Sequence, residues 1–245
     1  CEKIKARLIA FAAAEYGCEQ SAVRFENNQL VAGDIRLDWA DFIQKAYMNR
    51  IALSSSGFYA TPNIYYDHAK GQGHPFLYYA NGAACSEVVL DTLTGEYRVL
   101  RTDILHDAGQ SLNPEIDIGQ IEGGFVQGMG WLTTEELVYS DQGRLLTTGP
   151  ATYKIPAVSD TPPDLRVNLL ANSPNKEATV FRSKAVGEPP LMLGIAVWSA
   201  LRDAVASLTD YRYSPPLDTP ATPERMLAAV TAARQWALAE QEAVS

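Results

Sequence analysis

The residues best placed to do chemistry are Gly187-Glu188-Pro189-Pro190. A lone carboxylate follows a glycine, which lets the chain bend sharply or approach another group closely. Two prolines follow, and proline suits the first helical position because its missing N–H would have no partner there. The next run, Leu191-Met192-Leu193-Gly194-Ile195-Ala196-Val197-Trp198, reads as a buried helix. Glu188 is therefore expected at or just before a helix N-terminus, held stiffly at the mouth of a buried element. An acid that only complements the helix macrodipole would look the same locally. A second candidate is the segment Glu115–Gly130, apolar at helical spacing through Ile118, Ile121, Phe125 and Met129, yet carrying five glycines. Each costs a helix about 1 kcal/mol against alanine. Such a helix is expected to lie very close to something, either a packed neighbour or a cofactor, with Gln120 and Gln127 offering amide groups. The glycines fit G-x-G-x-x-G poorly, so a Rossmann nucleotide site is rejected.

The elements that position these residues read as follows. Glu2–Tyr16 is helical and stops at Gly17. Ala22–Phe25 and Gln29–Val31 form a hairpin across Asn27-Asn28, and Trp39–Asn49 is an amphipathic helix. Ser54–Asn63 is a turn-rich loop. Phe76–Leu90 and Tyr97–Ile104 form a second hairpin, with Cys85, Ala83 and Ala84 as small packing residues. Asp107–Pro114 is a polar loop, and Asn113-Pro114 is a helix start. Trp131–Tyr139 and Arg144–Thr148 read as a third hairpin, Thr152–Ala157 as extended chain and Leu165–Leu170 as a strand. A helix from about Pro189 to Leu208 and another from Thr222-Pro223 to about Ala239 complete the chain. One α+β unit is the economical architecture, with sheet hairpins packed against helices.

Composition narrows the function classes. The chain has 245 residues, 47% of them hydrophobic and 20% charged, as in an ordinary globular protein. A net charge of −9 disfavours nucleic-acid binding, which needs clustered Lys and Arg. No apolar stretch reads as long enough to span a bilayer. Cys1, Cys18 and Cys85 match no zinc or iron–sulfur spacing, and the three histidines, His68, His74 and His106, form no metal pair. A reduced, cytoplasmic setting is the simpler expectation. A first residue of Cys suggests a processed chain or a piece of a longer one.

Gly57–Asn63, Asn81–Glu87, Asp107–Glu136, Thr152–Ala157 and Arg182–Gly194 together, and in this order, resemble the molybdenum-binding subunits of the xanthine dehydrogenase type in the molybdenum hydroxylase family. The resemblance implies the fold of a C-terminal, second molybdopterin-binding domain over residues 1–245, as an incomplete piece of a longer subunit. It implies hydroxylation of an electron-poor carbon with oxygen from water, taking hypoxanthine or xanthine to urate. By resemblance Glu188 is the general base and Gln120 contacts the pterin. Lys184, Ala185, Val186 and Gly187 lie near the pterin or the metal, and no residue here inherits a metal-ligand role. Molybdenum–molybdopterin is the implied cofactor. Iron–sulfur clusters and FAD on other domains or subunits, and the missing upstream part, are the implied partners, so the chain alone is expected to be inactive. An aldehyde oxidase or another N-heterocycle hydroxylase is the alternative within the family. A non-catalytic cofactor-binding or assembly domain is the alternative outside it.

Overall fold

The structure is a computed structural model and describes residues 1–244. Instead of the single unit expected, the chain divides into two, Cys1–Pro62 and Asn63–Ser245.

In the first unit α1 (Glu2–Tyr16) ends at Gly17, whose φ of 63° lets its N–H reach back to Ala13. Strands β1 (Val23–Glu26), β2 (Gln29–Ala32) and β3 (Ile35–Asp38) follow as an antiparallel meander. Asn27 and Asn28 both have positive φ, as a tight two-residue hairpin turn requires. β3 is not legible in the sequence because its four residues are too few to show an alternation. Asp38 caps α2 (Trp39–Met48) by accepting from the Ala40 N–H at 2.8 Å. Leu8, Ala12, Leu30, Phe42 and Ala46 are the core of this unit, and Phe42 lies against Phe11, Phe25 and Trp39.

The second unit begins with the short pair β4 (Tyr65–Asp67) and β5 (Gln72–His74). β6 (Gly82–Leu90) then pairs antiparallel with β7 (Tyr97–His106), as expected. The first of these strands is shorter than Phe76–Leu90. The Tyr79 carbonyl is taken by the Lys184 ammonium, and pairing with the second strand begins only where the Asp107 N–H meets the Asn81 carbonyl. α3 (Pro114–Thr133) follows, capped by Asn113, and β8 (Asp164–Leu169) returns parallel to β7. The unit β7–α3–β8 is thus a strand–helix–strand crossover.

The hairpin expected over 131–148 is cut down to its tip, where the Ser140 N–H donates to the Arg144 carbonyl and the Leu146 N–H to the Val138 carbonyl. Trp131, Leu132 and Thr133 extend α3, since adding a turn to an existing helix is easier than starting a strand. What remains is a tight turn with one bridge, Tyr139 to Leu145. Residues Pro189–Gly194 form a 3₁₀ helix that leads into α4 (Ile195–Ala206). The two prolines cannot donate, and the Leu191 N–H takes the Glu188 carbonyl at 3.1 Å. α5 (Pro223–Val244) completes the unit.

Ile104, Ile121, Phe125, Met129, Val197, Leu201, Val205, Met226 and Val230 form the core of the second unit. One stretch, Pro189–Thr209, is by length and composition apolar enough to cross a membrane, which corrects the sequence expectation. Val197, Leu201 and Val205 within it are fully buried, so it serves as a core element here. Cys85 is exposed on β6 and is not the core residue its apolar strand implied.

Candidate active site

All the candidate residues belong to the second unit and gather where β7 and β8 end. In a parallel pair, the loops after the strand C-termini leave the sheet on the same side, where open α/β sheets carry their ligands. After β7 the chain passes through Asp107 and Gly109 into α3. After β8 it passes through Ser173 and Asn175 to the segment 183–188.

These two loops are bonded to each other. The Lys184 N–H donates to the Ala108 carbonyl at 2.8 Å, and the Gln110 N–H to the Arg182 carbonyl at 2.9 Å. Gly109 bridges Ser183 with a φ of 65°, and a Cβ there would lie 2.6 Å from the Arg182 oxygen. Asn175, almost fully buried, donates from its amide to Thr179 and to the Ser183 carbonyl. Thr179 donates to the same carbonyl at 2.6 Å.

Below this junction lies a buried ion pair. Lys184 Nζ stands 2.5 Å from Asp107 Oδ2, and the two side chains are only 12% and 7% exposed. Asp107 Oδ1 also accepts from the Gly109 N–H at 2.9 Å and the Ser173 hydroxyl at 3.2 Å. Burial pushes the Asp107 carboxyl up, but the Lys184 ammonium, the Gly109 amide and the Ser173 hydroxyl outweigh it and hold the group below the usual carboxylate range. His106, 1% exposed, is held below its ordinary value by burial, against the pull of Asp107 and with the help of Lys184.

The sequence-predicted residues fall into two groups around this junction. Gln120, exposed on α3, reaches the 183–188 segment: its Oε1 is 3.8 Å from where a Cβ on Gly187 would stand. Gly187 and Glu188 are exposed beside it, and Glu188 caps nothing with its side chain. Gln120 is thus brought to Gly187, the residue before Glu188. Lys184 is turned inward to Asp107 and to the Tyr79 carbonyl at 3.0 Å. Ala185 gives its N–H to the Tyr78 hydroxyl at 3.0 Å, and Val186 is half-buried between them and Gly187. Sequence reasoning missed Asp107, Tyr78, Ser173 and Asn175. The Asp107-Ala108-Gly109 turn was the one legible signal, since Asp commonly accepts from the N–H two residues on.

The α3 glycines separate by what lies over them. A Cβ on Gly124 would meet Pro190 at 3.0 Å, and one on Gly128 would run into the Leu191 carbonyl. Over Gly119, next to Gln120, and Gly123, three residues on, a Cβ would meet nothing within 4 Å. Packing within the chain therefore explains the first pair and not the second. Among the described residues no group of three or more His, Cys, Asp and Glu could hold a metal ion. Beside Gln120 the chain offers an amide, backbone groups and the single Glu188 carboxylate.

Residues 1–162 match the sequence profile of the molybdopterin cofactor-binding domain. The chain belongs to this family. Xanthine dehydrogenase/oxidase of Felis catus is 50% identical over 197 residues, which are 77% of this chain and 14% of that protein. The Gallus gallus xanthine dehydrogenase/oxidase is 48% identical over 217 residues, 87% of this chain and 16% of that protein. Quinoline 2-oxidoreductase from Pseudomonas putida 86 has a similar structure, with a TM-score of 0.64 at 28% identity, over 94% of this chain and 28% of that one. The molybdopterin cofactor-binding domain described here thus spans about one-sixth or less of the curated relatives it matches. The α+β fold read from the sequence is the fold these structures share.

Proposed function

We propose that residues 1–245 are a piece of the C-terminal, second molybdopterin-binding domain of a molybdenum hydroxylase of the xanthine dehydrogenase type, acting on purines in purine catabolism. The observation that carries the reading is the meeting of Gln120 with Gly187-Glu188 beside the two open glycines of α3. Gln120 and the backbone of Val186 and Gly187 would hold the pterin. The molybdenum–molybdopterin cofactor, when bound, supplies the two-electron redox centre for adding water-derived oxygen to an electron-poor carbon of hypoxanthine or xanthine.

Glu188 is the residue that takes a proton in this scheme. It stands on a backbone stiffened by Pro189 and Pro190, and its carboxylate spends no hydrogen bond on the helix that follows. A group so placed is free to accept a proton from a neighbour within hydrogen-bond reach. Its exposure in this chain fits a pocket whose other wall is supplied by the upstream part of the subunit. The chain alone is then inactive, and iron–sulfur and FAD domains or subunits carry the electrons away. The three cysteines are free thiols, in keeping with a cytoplasmic setting.

The test is Glu188→Gln in the complete enzyme. Molybdenum content should stay normal while turnover falls by more than the ~10²–10⁴-fold usual for an acid–base group. Unchanged turnover would remove Glu188 from the mechanism. A second reading, an N-heterocycle hydroxylase acting on another ring, is favoured by the likeness to quinoline 2-oxidoreductase. Faster turnover of quinoline-like heterocycles than of xanthine would select it.

A further inference from the structure

Glu188 lies between two anchors of different kinds. Downstream the anchor is steric: the Pro190 ring rests on Gly124 of α3, and the Gly194 main chain on that of Gly128. Upstream, the anchor is ionic. Lys184, four residues before Glu188, is tied to Asp107 at 2.5 Å and to the Tyr79 carbonyl at 3.0 Å. Asp107 is itself gripped by the Gly109 N–H and the Ser173 hydroxyl. The neutral His106 imidazole beside it brings no second charge.

Stability alone does not account for this pair. Two charges taken out of water rarely outperform apolar side chains of the same volume. What an ion pair with fixed hydrogen bonds adds is direction. Here it ties three separate stretches, 79–81, 106–109 and 183–185, to one point at the root of the Glu188 segment. The Asp107 N–H closes the same knot on the Asn81 carbonyl at 2.8 Å.

We infer that Asp107 is a positioning residue for the general base: through Lys184 it fixes the 184–188 segment, and so the place of Glu188 beside Gln120. Lys184 on this reading acts by holding the segment rather than by contacting the cofactor with its ammonium. The inference rests on the role of Glu188 proposed above.

The experiment uses the complete enzyme carrying Asp107→Asn, with Glu188→Gln beside it. Hydrogen exchange over 184–188, molybdenum per subunit, kcat and KM are measured. Asp107→Asn should speed exchange over 184–188, leave molybdenum and KM near wild type and lower kcat per molybdenum about tenfold or more, as misplacement of a catalytic group does. The double variant D107L/K184M removes both charges together. It should recover thermal stability while the fast exchange and low kcat persist. Wild-type exchange in Asp107→Asn, or wild-type kcat in D107L/K184M, would overturn the inference, leaving the pair as a stabilising contact only. If Glu188→Gln keeps full turnover, the general-base reading fails, and the exchange data alone decide whether Asp107 holds the segment.

Discussion

Helix α3 carries glycines of two kinds. At Gly124, Gly128 and Gly130 the helix is closed: Pro190, the Leu191 and Gly194 backbone, and Pro156 lie where a side chain would begin. At Gly119, next to Gln120, and Gly123, three residues on, it is open. Both kinds cost the helix the same intrinsic propensity. The closed set recovers that cost through close packing, since its neighbours approach the bare backbone. The open set recovers nothing inside this chain. On the function proposed above, glycines that serve no internal contact, flanking a glutamine that reaches the candidate base segment, would mark the face the cofactor takes.

The contrast is sharpest at Gly128. Gly128→Ala should destabilise the chain by about 3 kcal/mol, at the upper end for overpacking, because the new atom meets main chain that has no rotamer to change. Gly194→Ala fills the same contact from the other side, where a Cβ would lie 2.8 Å from the Gly128 Cα. Urea unfolding of the two single variants and the double should therefore give strongly non-additive losses. Additive losses would mean that the two glycines do not share one contact. Gly124→Ala is milder, about 1 kcal/mol, because Pro190 can move by the few tenths of an ångström required.

On the open face the sign reverses. Gly119→Ala and Gly123→Ala should each stabilise the chain by about 0.5–1 kcal/mol, the ordinary gain of alanine over glycine in a helix. In the complete enzyme the same variants should lower molybdenum per subunit, measured by elemental analysis. Stabilisation with full molybdenum content would show that the open face admits no cofactor.

The smallest effect concerns the packing beneath. His106 lies against Gly82, where Leu193 also packs, and burial holds its imidazole below the ordinary value, with Asp107 opposing and Lys184 assisting. An unfolded chain binds that proton near the ordinary pH of about 6.5, where the folded chain refuses it. Stability from this group is thus complete above about pH 6.5 and is lost as pH falls toward the lower folded value. Urea midpoints between pH 8 and 5.5 should decline, and His106→Gln should flatten the decline. An unchanged slope in the variant would assign the acid sensitivity to another group.

Much of this contrast is legible in the amino-acid sequence. The 3.6-residue spacing of Ile118, Ile121, Phe125 and Met129 locates α3, and Asn113-Pro114 locates its start. Five glycines in one helix announce a close approach, and Gly187-Glu188-Pro189-Pro190 marks the start of the helical segment that packs on α3. The sorting of those glycines is not legible, because it depends on segments about 26 to 66 residues downstream that pack on one side of the helix. The parallel pairing of β8 with β7 is hidden for a similar reason, since strand pairing across a crossover leaves no local mark. Asp107 looks like one polar residue in a polar loop, and its value lies in a lysine far along the chain. The shortened hairpin at 131–148 shows the opposite failure, where a local turn signal is real but α3 claims the start of one arm.

The Gly128–Gly194 contact has a mechanical meaning. Where two main chains touch with no side chain between them, there is nothing to swing from one rotamer to another and nothing to compress. The joint has no play, so a shift of α3 at one end is passed on whole to the backbone that carries Glu188. Substitutions elsewhere in the core can be absorbed by neighbours that repack, while the spacing between helix and base segment stays set by the thickness of two bare backbones.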